Sequence, residues 1–277
     1  MPSFYNGRLL NLAHRGVSRE APENTLAAFR LAEAHGADGI ELDVRMCRSG
    51  ELVVIHDARV NRTTNGRGYV RTKTLEQLRT LAAGSYFDER FAHEPLPTLD
   101  EVLRWSHGRM RVNIEIKSMA RAKAGIEAAV VAMLHRRRVA HHCLVSSFNP
   151  LVLRRIMRLD KRIATALLID RRLSPLRFLN LFTKRARLRI PYSFTERDGG
   201  GEIRRNELPL SRLSGVTGLN IHVALANEKF IQKCKSAGLR VMVWGMTSSE
   251  ELERLARLDV DGIITDDPFL LRKILGR

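Results

Sequence analysis

The residues able to do chemistry lie mostly between Leu9 and Asp57. The run LLNLAHRG ends on His14, Arg15 and Gly16, GIELDV carries Glu41 and Asp43, and ELVVIHD ends on His56 and Asp57. Alternate residues of a strand share a face, so Glu41 and Asp43 project the same way. Neighbouring carboxylates repel one another and desolvate badly, and a folded chain relieves this by placing a cation between them. Ile40, Leu42 and Val44 leave the segment apolar apart from that pair, which argues against two surface acids on an edge strand. In MRVNIEIK, Glu115 shares a face with Asn113 and Lys117 and offers a third carboxylate. Three hard oxygen ligands suit Mg²⁺ or Ca²⁺, whereas zinc draws more nitrogen or sulfur. With Arg15 and Lys117 beside a divalent ion, the site keeps one net positive charge. That matches a singly charged phosphodiester whose transition state gains negative charge. Imidazoles titrate near neutrality, so of His14 and His56 one would deprotonate a nucleophile and the other protonate the departing alkoxide.

Such a constellation needs elements that bring distant strand ends together. Short apolar runs predict strands over Leu9–His14, Gly39–Val44, Met110–Lys117, Cys143–Phe148, Ile163–Ile169, Gly218–His222, Val241–Trp244 and Gly262–Thr265. Nearly all are followed by helical-period segments. The first helix is opened by Pro22 and Asn24, and others cover Ala122–Arg137, Leu151–Leu159, Lys229–Ala237 and Ser249–Leu258. Leu52–His56 follows Val44 too soon for a crossover helix, so it is expected to return antiparallel and set His56 opposite Asp43. Eight strands in strict alternation with helices, without a glycine-rich dinucleotide loop, predict an α/β fold, a single (β/α)8 barrel over 1–277. Residues 57–99 read as a small inserted lobe after the second barrel strand, over one mouth of the fold. Polar groups gather at the carboxyl ends of strands, where barrel active sites lie: His14 and Arg15, Glu41 and Asp43, Glu115 and Lys117, Ser146 and Ser147, His222, Trp244, Thr265 and Asp266.

Blander readings stand beside these. Lys117 could serve only to pair with Glu115, Trp244 to pack, and Asn24 to cap a helix. His222 divides between a site and a structural role. The remaining histidines, His35, His93, His107, His135, His141 and His142, read as ordinary core or surface residues.

Composition narrows the class. The 277 residues, 44% of them hydrophobic, can bury a sizeable core. No apolar run approaches the ~20 residues that span a bilayer, and no leader is expected. The three cysteines Cys47, Cys143 and Cys234 are scattered, as suits a reducing compartment, so a cytoplasmic location is expected. A formal net charge of +17 attracts anions, yet no nucleic-acid-binding motif accompanies it and aromatics are 6%. Residues 171–190 interleave seven basic residues with Leu173, Leu176, Phe178, Leu179, Leu181, Phe182 and Leu188. That pattern reads as a barrel helix with snorkelling arginines, or as a basic lip on an anionic membrane.

At these motifs the chain resembles the glycerophosphodiester phosphodiesterase family. The resemblance rests on His14-Arg15-Gly16, Pro22-Glu23-Asn24-Thr25, Glu41-Leu42-Asp43, Gly50, Val54–Asp57 and Arg62-Thr63-Thr64-Asn65-Gly66. It continues at Glu115-Ile116-Lys117, Ser147-Phe148, Trp244 and Asp261–Asp266, and so spans nearly the whole chain. It implies a barrel with a small insertion, and hydrolysis of glycerophosphodiesters to an alcohol and sn-glycerol 3-phosphate. It also implies a divalent ion on Glu41, Asp43 and Glu115, with His14 and His56 as the acid–base pair. Arg15, Lys117, His222 and Trp244 are the expected substrate contacts. Two departures touch the pocket rather than the chemistry: Gly245-Met246-Thr247 follows Trp244 where the family commonly has Thr and Asn, and Cys47-Arg48-Ser49-Gly50 replaces a Thr-x-Asp-Gly turn. The alternatives are a lysophospholipase D acting on membrane lipid, and a catalytically silent barrel that binds anionic ligands.

Overall fold

The barrel strands are mostly buried apolar runs whose alternate residues face the ring's interior and the surrounding helices, which sorts one sheet into two faces. In the computed structural model, residues 4–107, 109–117, 125–170, 189–192, 206–209, 215–246 and 248–277 are described, 189–192 and 206–209 by their backbone alone. The strands are β1 (Leu10–His14), β2 (Gly39–Met46), β3 (Leu52–Val54), β4 (Arg111–Ile116), β5 (Cys143–Ser147), β6 (Ala164–Ile169), β7 (Arg189–Tyr192), β8 (Asn206–Pro209), β9 (Gly218–His222), β10 (Arg240–Trp244) and β11 (Gly262–Thr265). Strands β1, β2, β4, β5, β6, β9, β10 and β11 pair in parallel in that order, and β11 pairs back with β1. The predicted eight-stranded parallel barrel is therefore closed. Closure leaves no unpaired edge in the ring.

Leu10, Leu12, Leu144, Ala164, Ala166, Met242 and Ile264 meet inside the ring, with Phe4 and Tyr5 packed against them. The other strand face joins the helices in two larger cores, one around β2, β4 and β5 and the other around β9, β10 and β11. The helices are α1 (Leu26–Ala34), α2 (Leu75–Arg79), α3 (Leu99–Ser106), α4 (Ile126–Arg137), α5 (Pro150–Leu159), α6 (Glu228–Ser236), α7 (Ser249–Ala256) and α8 (Pro268–Ile274). Most barrel helices start where their first free N–H groups find a side-chain acceptor, α4 after Gly125 being the exception. Thr98 and Glu101 form a reciprocal capping box on α3, and Asn149 and Asp267 cap α5 and α8 just ahead of Pro150 and Pro268.

The chain between β3 and α3 builds a further core together with the β2–β3 hairpin. Val60, Val70, Leu78, Ala83 and Leu96 pack on Cys47, Val53 and Ile55, through elements no longer than the five residues of α2. Such short pieces carry no readable periodicity. Strand β3 pairs antiparallel with β2 as expected, but with Val44 facing Val54. In that register Asp43 lies opposite Ile55, whose N–H donates to the Asp43 carbonyl at 2.9 Å, so the expected pairing of His56 with Asp43 is off by one residue. His56 stands just beyond the strand. Strands β7 and β8 form an antiparallel pair between β6 and β9. The basic segment singled out at 171–190 falls outside the described residues except for Arg189 and Ile190, which are in β7.

Candidate active site

The site follows from strand register. His14, the last residue of β1, is paired with Glu41 on β2, and Asp43, two residues further along, is paired with Glu115 on β4. Neighbouring strands are ~4.8 Å apart and side chains alternate faces, so these groups share the barrel's carboxyl-end mouth. Oxygens of Glu41, Asp43 and Glu115 lie within 4.8 Å of one another, and all three residues are buried. Lys117, just past the end of β4, places Nζ 3.1 Å from Asp43 Oδ1 and 2.5 Å from Glu115 Oε1. It does more than pair with Glu115.

The turn after β1 carries the other cation. Arg15 has φ +56° and Gly16 φ +83°, and a Cβ on Gly16 would meet the Ala28 backbone at 2.7–2.8 Å. This tight turn lets the Arg15 N–H donate to Glu41 Oε2 at 3.2 Å, while its guanidinium reaches Glu23 at 2.9 Å and Asp43 Oδ2 at 3.4 Å.

Burial sets the charges. It raises the Glu41 pKa, and the neighbouring Asp43 and Glu115 charges add to that effect, against the pull of His14 and Arg15. Burial also works against an Asp43 charge, but Lys117, Arg15 and His56, with a hydrogen bond from Asn24, outweigh it and hold that carboxyl well below the usual range. Lys117 shows the complement: burial opposes its charge, and Asp43 and Glu115 more than restore it. Asp43 Oδ1 is buried with no hydrogen-bond donor aligned on it, although Lys117 Nζ lies 3.1 Å away. Three converging carboxylates, one with an unsatisfied buried oxygen and another resisting ionisation, fit a hard divalent cation.

Each imidazole is oriented by an acid. His14 Nδ1 is 2.6 Å from Asp266 Oδ1, and its Nε2 is 4.0 Å from Glu41 Oε2. Burial opposes a charge on His14, but the Asp266 hydrogen bond and Glu41 outweigh it and raise its pKa. His56 Nδ1 is 2.7 Å from Asp57 Oδ1. Across the mouth, Trp244 donates from Nε1 to the Asn220 carbonyl at 3.1 Å, and its ring lies edge-on to Phe148 and His222. His222 Nδ1 accepts from the Ala224 N–H at 3.1 Å, so it also caps a turn.

Sequence reasoning missed several participants. Asn24 is not the helix cap; Thr25 is, accepting from the Ala28 N–H. Asn24 instead takes φ +61°, donates to Asp43 Oδ2 at 2.8 Å and accepts from the Asp43 N–H at 3.2 Å. Asp266 stood among the strand-end polar groups and Asp57 closed a chemistry-bearing run, yet neither was matched to its histidine; Glu23 and Arg62 stood within quoted motifs, and nothing in their own types or spacing separated them from surface acids and bases.

Residues 14–270 match the model of the glycerophosphoryl diester phosphodiesterase family. The chain belongs to that family. Its members are phosphoric diester hydrolases. A glycerophosphodiester phosphodiesterase of Caldanaerobacter subterraneus subsp. tengcongensis is 36% identical over 98% of this chain and 99% of its own. The crystal structure of a glycerophosphodiester phosphodiesterase from Agrobacterium tumefaciens superposes with a TM-score of 0.75 at 28% identity, covering 96% of this chain and 100% of that one. An Oleispira antarctica phosphodiesterase, solved with the product sn-glycerol-3-phosphate, gives 0.77 at 27% identity over 96% of both chains. Among the described residues, no helix is long and apolar enough to cross a membrane.

Proposed function

We propose that this chain hydrolyses glycerophosphodiesters to an alcohol and sn-glycerol 3-phosphate. Glu41, Asp43 and Glu115 would hold a Mg²⁺ or Ca²⁺ ion, with His14 and His56 as the acid–base pair. The observation that carries the reading is the meeting of two carboxylate-oriented imidazoles with three buried acids at one barrel mouth. A bound divalent ion would supply Lewis-acid polarisation of the phosphoryl oxygens. Arg15 and Lys117 supply the positive charge that binds the phosphate and meets the negative charge gained on attack. With Nδ1 of each histidine held by Asp266 or Asp57, Nε2 is the atom left to take a proton from the attacking oxygen or return one to the leaving alkoxide. Trp244 and His222 wall the pocket for the organic part of the substrate. Release of sn-glycerol 3-phosphate from glycerophosphocholine tests the activity. Folded His14→Ala and His56→Ala variants should each lose it, and full turnover in either would remove that histidine from the reaction.

A second reading, lysophospholipase D activity beside an anionic membrane, draws on the charge distribution. Residues 104–190 hold 21 Lys and Arg against 4 Asp and Glu, while the rest of the chain holds 26 of each sign. The whole excess therefore belongs to one stretch of the chain. Sedimentation with anionic vesicles, for wild type and a Phe178→Ser/Phe182→Ser variant, tests the contact; equal sedimentation would reject the 171–190 lip.

A further inference from the structure

One lobe side chain, Arg62, is wired to both sides of the site. Arg62 engages three guanidinium nitrogens with two carboxylates. Its Nε and Nη2 donate to Asp57 at 2.7 and 3.2 Å, and its Nη1 and Nη2 donate to Glu23 at 2.7 and 2.8 Å. Neither acid ends there. Asp57 Oδ1 holds His56 Nδ1 at 2.7 Å, and Glu23 Oε1 holds Arg15 Nη1 at 2.9 Å. Arg15 in turn contacts Asp43 and Glu41. An unbroken polar chain thus runs from one imidazole, out through the lobe, and back to the acids at the barrel mouth.

The turn that presents Arg62 is tied down locally. Thr64 Oγ1 donates to the Val60 carbonyl at 2.7 Å and accepts from the Gly66 N–H at 3.0 Å. From the same lobe, the Tyr86 hydroxyl accepts the Glu23 N–H at 3.2 Å. The Arg62 side chain is 45% exposed, and an exposed ion pair contributes little to stability. Its geometry is nevertheless the planar fork that grips two carboxylates at once, which an ammonium cannot reproduce. Without it, Asp57 and Glu23 can turn toward water, and His56 and Arg15 lose the partners that fix their orientation.

Resting on the functional reading above, we propose that Arg62 is a positioning residue through which the lobe fixes His56 and Arg15 together for attack on the phosphodiester. It touches no substrate and acts through Asp57 and Glu23.

The test compares Arg62→Ala, Arg62→Lys and a lobe control, Arg59→Ala, in the metal-loaded enzyme acting on a glycerophosphodiester. Arg59 lies over the Tyr69 ring and donates to its hydroxyl at 2.9 Å, off the chain to the site. Misorientation of a catalytic group lowers turnover by roughly 10²-fold. Arg62→Ala should show a kcat loss of that order, a smaller rise in KM because Arg15 also binds the phosphate, and a melting temperature close to wild type. Arg62→Lys should recover little of it, while added guanidinium, entering the exposed gap, should restore a measurable part. Arg59→Ala should behave as wild type. A readout independent of turnover is the His56 Nδ1 proton resonance in the metal-free protein, which should broaden in Arg62→Ala and persist in Arg59→Ala. Wild-type kcat in Arg62→Ala would overturn the proposal, as would a loss confined to KM or an equal fall in Arg59→Ala. Inactivity of the wild type toward glycerophosphodiesters would instead overturn the functional reading and leave the resonance test standing.

Discussion

Asn24 gives the sharpest single test of how the site is held. β1 pairs with β2 only as far as His14 opposite Glu41, and past that point the Asp43 N–H is received by Asn24 Oδ1 at 3.2 Å. The same amide donates from Nδ2 to Asp43 Oδ2 at 2.8 Å, so its two ends cannot be exchanged. Asn24→Ala leaves a buried N–H unpaired, at about 1–3 kcal/mol, and removes a hydrogen bond to a charged carboxylate, at about 1.5–3 kcal/mol. Arg15 at 3.4 Å offsets part of the second loss. Alanine is also poorly suited to φ +61°, at about 1 kcal/mol. The net expectation is about 3–5 kcal/mol, and at about 2 °C per kcal/mol for a chain of this size the melting temperature falls by about 6–10 °C. Asn24→Gly loses the same hydrogen bonds but accepts the backbone, so it should melt about 2 °C above Asn24→Ala. Thermal unfolding of both variants decides it. Asn24→Ala melting within about 2 °C of wild type, or above Asn24→Gly, would refute this account of how Asp43 is held.

Further outcomes can be checked independently. Chelation should abolish phosphodiester hydrolysis and added Mg²⁺ or Ca²⁺ restore it, whereas Glu115→Gln should resist restoration. Calorimetric titration of that variant should show divalent affinity reduced by more than roughly 100-fold, beyond the usual cost of losing an outer-shell partner. Gly245 has φ +82°, and a Cβ there would lie 2.8 Å from the His222 ring. Gly245→Ala should therefore lower the melting temperature by about 2–4 °C from backbone strain alone and raise KM as His222 and Trp244 shift. Asp160 is held below the usual carboxylate range by the Arg162 guanidinium and the Arg162 backbone N–H, with His135 adding to them. Its stabilising effect is complete above about pH 4 and is lost as pH falls toward its lower folded value. Asp160→Asn should flatten the acid limb of a plot of melting temperature against pH, and an unchanged limb would count against the network.

Much of the fold is legible because barrel strands are apolar runs with polar carboxyl ends. Leu10, Leu12 and His14, or Met242 and Trp244, show an inward face that changes from core to site along one strand. The lobe is less legible. Its core is assembled from Cys47, Val53, Ile55, Val60, Val70, Leu78, Ala83 and Leu96, residues on short elements and turns with no shared period. The hairpin was readable as a hairpin, yet its register slipped by one, since counting residues around a turn does not say which carbonyl Ile55 will meet.

The primary structure alone determined that Glu41 and Asp43 share a face, because strand periodicity is local. It likewise determined that His14, His56 and Glu115 end or interrupt apolar runs, and that eight such runs alternate with helices. Only the tertiary structure decided that Asp43 stands beside Glu115, that Asp266 from the far end of the chain orients His14, and that Asn24 serves Asp43 rather than a helix. Those pairings join residues between 19 and 252 positions apart. They depend on barrel closure and stagger, which belong to all eight strands at once and to no segment by itself.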